Sequence, residues 1–507
     1  MRNGIVSVLL ALFLCSIVCG AEISIYFFDV GNGDAIFVDG HDGYDVLIDL
    51  ASSAQPYLER IAAMIEDGVL DLLVITHYHV DHYGGIAGLL RQFPQIRVKR
   101  ALSPGMHPSE SELVKSLPNI EEWLTARELL EGGHLKPGGY TVQEGAGYRW
   151  ILLGPVSLST RMDDAGINNS SVVLKLETPG LSVLFMGDAE KDAEQELLRF
   201  HYGISSTLSA DVLKVGHHGS STSTSPELLQ AVTPRLAVIS CSFGEGFPRP
   251  ETLKRLEDRG IKHYSTALYG TIRLILQEVA YSVETEFKPF TITATAGPGC
   301  AIAPEGKTLV RPGANQTFSL ASTPGYTVRA VFVDGVSVGS VSTYTFTNVR
   351  SDHTIHVECC QAGSVSSYAT RVVANEGWND GRATGDPNKV CSTCNRARVT
   401  LELGGFTFTL PATATVSKIQ VDIVGARINA HYPVKVRVNL EGQSLPERIL
   451  YLPEGNCGSV SARSVWWDVN LPAWAVRNLT VSINSGDGFG WRYVDAVRVT
   501  LVYQACR

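Results

Sequence analysis

The chain is predicted to fold into one α/β domain followed by two all-β modules. Short apolar runs alternate with helical patterns between residues 22 and 288, and this alternation is typical of an α/β fold. Beyond residue 289, Thr, Val, Ser and Gly dominate and turn signals recur at even spacing, which indicates short β-strands. The 507 residues are also enough for two or three hydrophobic cores.

The first 21 residues have the pattern of a cleaved secretory signal. Arg2 precedes an apolar run from Ile5 to Val18, and small residues end the stretch. The run is shorter than the ~20 apolar residues that a membrane-spanning helix needs. A lipid anchor at Cys19 is a minor alternative, because Val18 is bulkier than the residue that such a site prefers. We therefore expect a signal peptide at 1–21 and a mature protein that is secreted, periplasmic or on the cell surface.

Strands and helices follow one another from the start of the α/β domain. ISIYFFDV, AIFVD and DVLIDLA read as strands, and PYLERIAAMIEDG reads as an amphipathic helix. LDLLVITHYH is a further strand that leads into a second helix, DHYGGIAGLLRQF. Loops at the carboxyl ends of strands usually carry the chemistry of α/β sheets. The polar stretch THYHVDHYGG at 76–85 therefore lies where a functional site is expected.

This stretch holds three histidines and an aspartate within six positions: His77, His79, Asp81 and His82. His77 and His79 are two apart on an extended turn, so both rings can point to one side. Imidazole and carboxylate groups are ligands that zinc, manganese or iron accepts. We expect one metal at His77 and His79 and a second at Asp81 and His82. A polar loop that is rich in histidine by chance is a less favoured alternative.

A two-metal site also needs a bridging carboxylate and a later histidine. VLFMGDAE supplies Asp188, and DVLKVGHHGSSTSTSP supplies His217 and His218. Each motif lies where an apolar strand stops, so the three loops can meet at one edge of the sheet. Each motif is weak alone, but in this order after HxHxDH they form a specific pattern.

Residues 22–285 resemble the metallo-β-lactamase fold, an αββα sandwich whose HxHxDH motif stands here at 77–82. The likeness is greater still to the metallo-β-lactamase domain of the competence protein ComEC. It rests on DVGNGDA at 29–35, VLIDLAS, NNSSVVLKLETPGLSVLFMGDAE and DVLKVGHHGSSTSTSPELLQAVTPRLAVIS. The resemblance implies a hydrolase with two divalent metal ions, zinc or manganese.

The resemblance also implies the roles of individual residues. Asp188 would bridge the metals, and His218 is favoured over His217 as the last ligand because a glycine follows it. His217 would then face the substrate or leaving group, and Ser220 would also meet charge on the leaving oxygen. The implied metal ligands are His77, His79, Asp81, His82, Asp188 and His218, and the implied catalytic residues are Asp81, His217 and Ser220.

Residues around the ligands are expected to support the site. Asp49 would brace the histidine loop, whereas Asp29 and Asp34 either lie near the site or cap the turn of DVGNGDA. Many members of the wider fold have a histidine where this chain has Asn168 and Asn169, so the first metal is one ligand short, as in ComEC-like domains. A second departure is GFPRPE at 246–251, where ComEC-like sequences often have GHPHPE.

Two β modules are predicted after the α/β domain. Residues 290–360 resemble the bacterial Ig-like repeats of surface and secreted proteins, which implies spacing or display. Residues 362–507 read as a β-sandwich or jelly roll, with a cell surface or a glycan as candidate partner. Its aromatic side chains are expected to pack in the core or in loops rather than to form a sugar platform: Trp378, Trp466, Trp467, Trp474, Trp491 and Tyr493.

The cysteines indicate disulfides in the C-terminal part. In an oxidising compartment the seven cysteines there are expected to pair, with at least one left over: Cys300, Cys359, Cys360, Cys391, Cys394, Cys457 and Cys506. CSTC at 391–394 is alternatively half of a zinc knuckle, but no second CxxC follows it. Cys241, in a strand-like run, is expected to be a small buried hydrophobe.

The sequence favours a phosphodiesterase or nuclease. The formal net charge of -9 argues against broad electrostatic binding of nucleic acid, although bound metals would supply local positive charge. Exported teichoic-acid phosphorylcholine esterases also resemble this domain, so a cell-surface phosphodiester is the alternative substrate. Lactone or β-lactam hydrolysis has less support. A hypothesis of another class is a surface-binding protein with an inactive hydrolase domain.

Overall fold

The structure, a computed structural model, describes residues 22–40, 42–105, 117, 120–145, 147–161, 163–204, 206–375, 392–394, 400–428, 433–455, 461–485 and 491–506. It divides into two compact units, the first of which comprises Met1–Pro289 with Leu309–Pro312. The second comprises Phe290–Thr308 with Gly313–Arg507. The predicted signal peptide at 1–21 lies outside the described residues. No helix in the described ranges is long and apolar enough to cross a membrane.

The first unit contains two sheets with helices between their strands. Its described strands are β1 (Ile23–Phe27), β2 (Ala35–Asp39), β3 (Asp45–Leu50), β4 (Val69–Val74), β5 (Arg97–Ser103), β6 (Ile120–Thr125), β7 (Tyr140–Gly145), β8 (Tyr148–Gly154), β9 (Val173–Glu177), β10 (Ser182–Phe185), β11 (Val212–Lys214), β12 (Leu236–Ile239), β13 (Lys262–Ser265), β14 (Ile272–Leu276) and β15 (Tyr281–Thr285). The strand order is β15-β14-β1-β2-β3-β4-β5-β6 in one sheet and β13-β12-β11-β10-β9-β8-β7 in the other.

Short helices connect these strands. They are α1 (Leu58–Met64), α2 (Val80–Tyr83), α3 (Ile86–Gln92), α4 (Ala126–Glu131), α5 (Asp164–Asn169), α6 (Lys191–Phe200), α7 (Pro226–Val232), α8 (Pro250–Glu257) and α9 (Thr266–Tyr269). Turns of 3₁₀ helix span Ser52–Tyr57, Gly216–Gly219 and Phe243–Glu245.

The central strands of each sheet in this unit are buried on both faces. In β3, Val46 and Ile48 belong to the apolar cluster shared by the two sheets, because side chains alternate along a strand. Leu47 between them packs on the opposite face, in a cluster with Ile61 of α1 and Leu89 of α3. The second sheet repeats this arrangement, with residues of α6, α7 and α8 packed on its outer face. These four layers confirm the predicted αββα sandwich.

The polar motifs lie at the carboxyl ends of neighbouring parallel strands. β3 pairs with β4 in parallel, as do β10 with β11 and β11 with β12. His77 follows β4, Asp188 follows β10, His218 follows β11 and Ser240 follows β12, whereas Asp49 is the penultimate residue of β3. Because these strand ends lie at the same edge of their sheets, the motifs are brought together.

The second unit is built from β-strands. Those described are β16 (Phe290–Ala296), β17 (Cys300–Ala303), β18 (Gly306–Val310), β19 (Gln316–Ser322), β20 (Tyr326–Val333), β21 (Val336–Gly339), β22 (Thr343–Phe346), β23 (His353–Tyr368), β24 (Arg371–Asn375), β25 (Ser392–Cys394), β26 (Thr400–Gly404), β27 (Ala414–Ile428), β28 (Val434–Leu440), β29 (Gln443–Ser444), β30 (Arg448–Leu450), β31 (Ser461–Pro472), β32 (Thr480–Asn484) and β33 (Trp491–Ala505). A 3₁₀ turn spans Ala473–Val476.

One long strand connects the two predicted β modules. β23 runs through residue 361, where the sequence suggested a boundary, and pairs with β16 and β20 at one end and with β33 at the other. The two modules therefore share a sheet, in the order β18-β16-β23-β33-β27-β31. A second sheet, β24-β26-β32-β28-β29, packs against the C-terminal part of the first through one apolar cluster.

The aromatic side chains of this unit differ in their exposure. Trp467 is buried in the core, as predicted, but Trp466 is 53% exposed and Trp474 is 59% exposed. Packing in the core is therefore found for Trp467 but not for Trp466 or for Trp474, which lies in the 3₁₀ turn Ala473–Val476. In β31, Val465 and Trp467 face the core, so the alternation of a strand turns Trp466 outward. Trp378 lies outside the described residues.

Two disulfides confirm the prediction of disulfide bonding in the C-terminal part. Cys300 pairs with Cys359, and Cys360 pairs with Cys506. Cys391 and Cys457 lie outside the described residues, so the alternative of a zinc knuckle stays a prediction. Cys241 is a free, buried thiol, and burial raises its pKa to about 12.

Candidate metal centre

Asp49 connects the two ends of the histidine motif. Its buried carboxylate accepts hydrogen bonds from the backbone N–H of Thr76 at 2.7 Å, from Thr76 Oγ1 at 2.6 Å and from His82 Nδ1 at 2.8 Å. Asp49 has a φ of 57°, which is uncommon for a residue with a side chain and indicates a conformation imposed by its surroundings. Asp49 therefore holds the loop before His77 and the ring of His82 in one arrangement.

Four buried side chains converge next to the Asp49 carboxylate and its hydrogen-bond donors. Asp188 Oδ2 lies 3.2 Å from His218 Nε2, 3.4 Å from His82 Nε2 and 3.9 Å from His77 Nε2. His82 Nε2 and His218 Nε2 are themselves only 3.3 Å apart. Asp81 borders the group, with Oδ2 at 3.6 Å from His218 Nε2. The candidate ligand atoms form three sets, and the atoms within each set all lie within 4.8 Å of one another. The sets are His77, His82 and Asp188; Asp81, His82 and His218; and Asp34, Asp49 and His82.

The outer ring nitrogens have hydrogen-bond acceptors that orient the imidazoles. His218 Nδ1 donates to the carbonyl of Ser240 at 2.9 Å, and His82 Nδ1 donates to Asp49. Each Nε2 lone pair is then directed into the cluster. In metal sites, acceptors that bind the outer nitrogen of a ligating histidine orient its ring in this way. His79 extends the group, with Nδ1 at 3.1 Å from His77 Nε2.

The charges in the cluster favour a cation. Burial alone would lower the pKa of His82, but the carboxylates of Asp188 and Asp49 raise it well above its usual value. Burial raises the pKa of Asp188, and the imidazoles of His218 and His82 overcome this and hold it well below the usual range. Asp188 Oδ1 and His79 Nε2 are buried without a hydrogen-bond partner in the described part of the chain. Convergent imidazole nitrogens, a buried carboxylate and unpaired polar atoms fit divalent metal ions.

The turn that carries His217 and His218 separates the two rings. Both residues have left-handed backbone conformations, with φ values of 46° and 52°. His218 is buried in the cluster, whereas the His217 side chain is 23% exposed and its Nδ1 lies 2.9 Å from Glu190 Oε1. Gly219 follows with a φ of 80°, and a Cβ there would lie 2.7 Å from Pro248. The geometry therefore places His218 among the candidate ligands and His217 at the opening.

Glu190 is a residue that the sequence reasoning missed. Its Oε1 accepts hydrogen bonds from Asn168 Nδ2 at 3.1 Å and faces His217 Nδ1. Asn169 Oδ1 accepts the backbone N–H groups of Glu190 and Ala193, so it caps the start of α6. The asparagine pair thus positions Glu190, and the buried Oδ1 of Asn168 has no hydrogen-bond partner among the described residues. The available signal was the position of Glu190 in GDAE, two residues after Asp188.

Asp34 lies directly behind the cluster. Its Oδ2 pairs with Lys214 Nζ at 2.9 Å, and both side chains are buried. Its backbone N–H donates to the carbonyl of Asp81 at 3.1 Å. Gly33 makes this contact possible, because a Cβ at its φ of 120° would lie 2.4 Å from that same oxygen. Lys214, which the sequence reasoning also missed, is the cation that balances Asp34.

Two further predicted residues lie away from the ligands. The carboxylate of Asp29 pairs with Arg311 at 2.7 Å. The hydroxyl of Ser220 pairs with Thr222 Oγ1 at 2.9 Å, and Thr222 in turn lies 3.4 Å from His217 Nδ1. Ser220 therefore reaches the opening of the site only through its neighbours.

Comparison with known proteins identifies the class of the first unit. Residues 28–151 match the family model of the metallo-beta-lactamase superfamily, a range that includes His77–His82 but neither Asp188 nor His218. Together with the αββα sandwich, this match shows a metallo-β-lactamase fold domain in the first unit, and the similarity to this superfamily supports a hydrolase. The superfamily typically binds divalent metals, in agreement with the His and Asp cluster.

Particular relatives confirm the resemblance to competence proteins. ComE operon protein 3 of Bacillus subtilis is 33% identical over 265 residues, which are 48% of this chain and 32% of that protein. Recombination protein 2 of Haemophilus influenzae is 30% identical over 277 residues, which are 52% of this chain and 30% of that protein. The chain thus spans about a third of the length of these relatives. The solved structure of YhfI from Bacillus subtilis aligns over 52% of this chain and all of its own, with a TM-score of 0.31 and 11% identity.

Proposed function

We propose that the protein is a secreted, metal-dependent phosphodiesterase that acts on polymers such as nucleic acid. The observation that carries this proposal is the convergence of His77, His82 and His218 on Asp188 in a buried cluster. Folding alone does not require this set, because buried imidazoles and carboxylates without a cation are costly. An exported protein is supported by the predicted signal peptide and by the two disulfides.

The residues divide into two ligand groups around Asp188. His77 Nε2 and His79 Nδ1 would hold the first ion with Asp188. Asp81 and the Nε2 atoms of His82 and His218 would hold the second ion with the same carboxylate. Zinc and manganese both suit these ligands. When bound, two such ions lower the pKa of a shared water and stabilise the charge that develops on a phosphoryl group.

The side chains around the ions would orient the reaction. Asp81, the candidate ligand with the more exposed carboxylate, is placed to accept a hydrogen bond from the attacking water. His217 stands at the opening, where its ring is fixed by Glu190 and its Nε2 can donate to the leaving oxygen. Asp49 and the Ser240 carbonyl keep the ligand rings in one tautomer, so the site needs little rearrangement during the reaction.

The proposed substrate class follows from the need to stabilise charge on both the attacking and the leaving oxygen. Two ions held by the ligand groups around Asp188 would supply positive charge for both the attacking and the leaving oxygen of a displacement at phosphorus, which suits a phosphodiester. The second unit would hold the enzyme near its substrate by binding a cell surface or a glycan through its β-sheets. Phosphorylcholine esters are the alternative substrates to be tested alongside.

The test is hydrolysis of bis(p-nitrophenyl) phosphate by the secreted form, stripped of metal and then supplied with zinc or manganese. We expect no turnover without metal, and turnover that saturates near two ions per chain. Metal-free protein with unchanged stability on metal addition, together with no turnover, would overturn the proposal and favour a surface-binding protein with an inactive hydrolase domain.

A further inference from the structure

The segment GFPRPE, which departs from the pattern of similar domains, forms one wall of the candidate metal centre. The backbone N–H of Arg249 donates to the carbonyl of Gly219 at 2.9 Å, and Thr252 Oγ1 donates to the carbonyl of Ser220 at 2.8 Å. These two hydrogen bonds join the segment, and Thr252 directly after it, to the turn that carries His217 and His218 and to Ser220 at its end. The wall is therefore positioned by the same backbone that positions the candidate ligand.

Phe247 is the part of this wall nearest to the histidines. Its ring centroid lies 6.1 Å from that of His217 and 6.3 Å from that of His218. The ring is partly buried against the apolar cluster beneath the second sheet, so its position is set by packing. Phe247 neither ligates a metal nor donates a proton, and its contribution to the site must come from its surface.

That surface already carries a positive charge. The guanidinium carbon of Arg249 lies 4.8 Å from the centroid of the Phe247 ring, within cation–π range. Arg249 is exposed, and it forms no salt bridge with a carboxylate among the described residues. A Cβ at Gly246 would lie 2.9 Å from Arg249 Nη1, so the glycine leaves room for this placement. A guanidinium with no carboxylate partner among the described residues thus lies on the ring that is 6.1 Å from His217 and 6.3 Å from His218, although the formal net charge is -9.

We infer that Phe247 and Arg249 form a subsite for the phosphate next to the scissile one on a polyphosphodiester strand. This inference rests on the proposed function and names its substrate class. Arginine suits this task because its planar guanidinium forms paired hydrogen bonds with phosphate oxygens. Quaternary ammonium headgroups instead bind to free aromatic faces. The Arg249 guanidinium lies over one face of Phe247 and repels a second cation there, so the pair disfavours the quaternary ammonium of phosphorylcholine.

The decisive comparison uses metal-loaded full-length protein with two substrates, octathymidylate and p-nitrophenyl phosphorylcholine. For Arg249→Gln we expect kcat/KM for octathymidylate to fall about tenfold or more, the size of one charge-assisted hydrogen bond. We expect kcat/KM for the phosphorylcholine ester to rise, because the Phe247 ring becomes available to a cation. The double variant Arg249→Gln with Phe247→Leu should lose that rise. Opposite changes for the two substrates cannot result from general loss of folded enzyme.

Arg235→Gln is the matched control, since Arg235 precedes β12 at the end opposite Ser240. For Arg235→Gln, the ratio of kcat/KM for octathymidylate to kcat/KM for p-nitrophenyl phosphorylcholine should equal that of the wild type. Poly(glycerol phosphate) of matched length is a second polymer with successive phosphates. A fall in kcat/KM of Arg249→Gln with either polymer supports the subsite and identifies which polymer the subsite accepts. Equal changes for polymer and phosphorylcholine ester, or an Arg249→Gln ratio equal to that of Arg235→Gln, would overturn the inference.

A binding measurement separates failure of this inference from failure of the proposed function. If the wild type hydrolyses no phosphodiester, the proposed function fails, but the affinity for fluorescent octathymidylate still tests the subsite. The plot of log affinity against log salt should have a slope smaller by about 0.7 for Arg249→Gln, because one phosphate contact to a single strand is lost. An unchanged slope would contradict the subsite whatever the activity.

Discussion

Replacing Asp49 by asparagine is expected to weaken metal binding and to destabilise the first unit. The carboxylate accepts three hydrogen bonds from Thr76 and His82, at 2.6–2.8 Å, and is fully buried. An asparagine keeps one acceptor oxygen but turns an amide N–H₂ toward the remaining donors. Each buried donor left unpaired costs about 1–3 kcal/mol, so the free energy of unfolding of the metal-free protein should fall by about 2–4 kcal/mol. Loss of a carboxylate that accepts a hydrogen bond from a ligating histidine lowers metal affinity about 10–100-fold.

The assay pairs zinc competition against a fluorescent chelator with urea unfolding of the metal-free protein. Asp192→Asn, an exposed substitution in the first turn of α6, is the matched control and should change neither quantity appreciably. Zinc affinity of Asp49→Asn equal to that of the wild type would refute the view that Asp49 orients a ligand. A loss of stability without a loss of affinity would assign Asp49 to folding alone.

Three further predictions concern activity, pH and covalent links. His79→Ala combined with Asp81→Ala should abolish hydrolysis of bis(p-nitrophenyl) phosphate and leave the circular dichroism spectrum unchanged; activity at full metal loading would contradict the ligand assignment. Burial, reinforced by the charges of Asp39 and Asp67, raises the pKa of Asp45 to about 7. Because the folded state binds this proton more tightly, Asp45 lowers stability as the pH rises from about 4 to 7. The gain in urea midpoint from Asp45→Asn should therefore be larger at pH 8 than at pH 4.5, and a gain independent of pH would disprove this assignment. Replacing Cys360 and Cys506 by serine opens a loop with a sequence separation of 146, which should cost about 5 kcal/mol of unfolding free energy in the second unit on the chain-entropy estimate; a calorimetric transition at the temperature of the wild type would argue against it.

The sequence anticipated those features of the first unit that depend on local pattern. The α/β class follows from the alternation of strands and helices, the αββα sandwich was implied by the resemblance to the metallo-β-lactamase fold, and the cluster follows from motifs placed where strands stop. His77 and His82 are close in sequence, so their spacing alone suggests a shared site. The structure also brings Asp188 and His218 to them, because parallel strands end at one edge.

The contacts that depend on side-chain direction were not predictable in the same way. Glu190 meets His217 only because the left-handed turn at 217–218 sends adjacent rings in different directions. Lys214 reads as part of an apolar strand, and its buried pairing with Asp34 joins residues far apart in sequence. In the second unit, the Thr-, Val-, Ser- and Gly-rich composition and the regular turn signals indicated strands. They did not indicate that β23 would continue through both predicted modules.

The adjacent cysteines of β23 give the second unit a mechanical property. Cys359 is bonded to Cys300 and Cys360 to Cys506, with sequence separations of 59 and 146. A pulling force applied between Cys300 and Cys506 therefore passes through two disulfides and a single peptide step. The bypassed chain, on the order of 200 Å and 500 Å when extended, cannot be drawn out while both bonds are intact. Under tension the unit would behave as a short, inextensible link, and reducing conditions would convert it into a long tether.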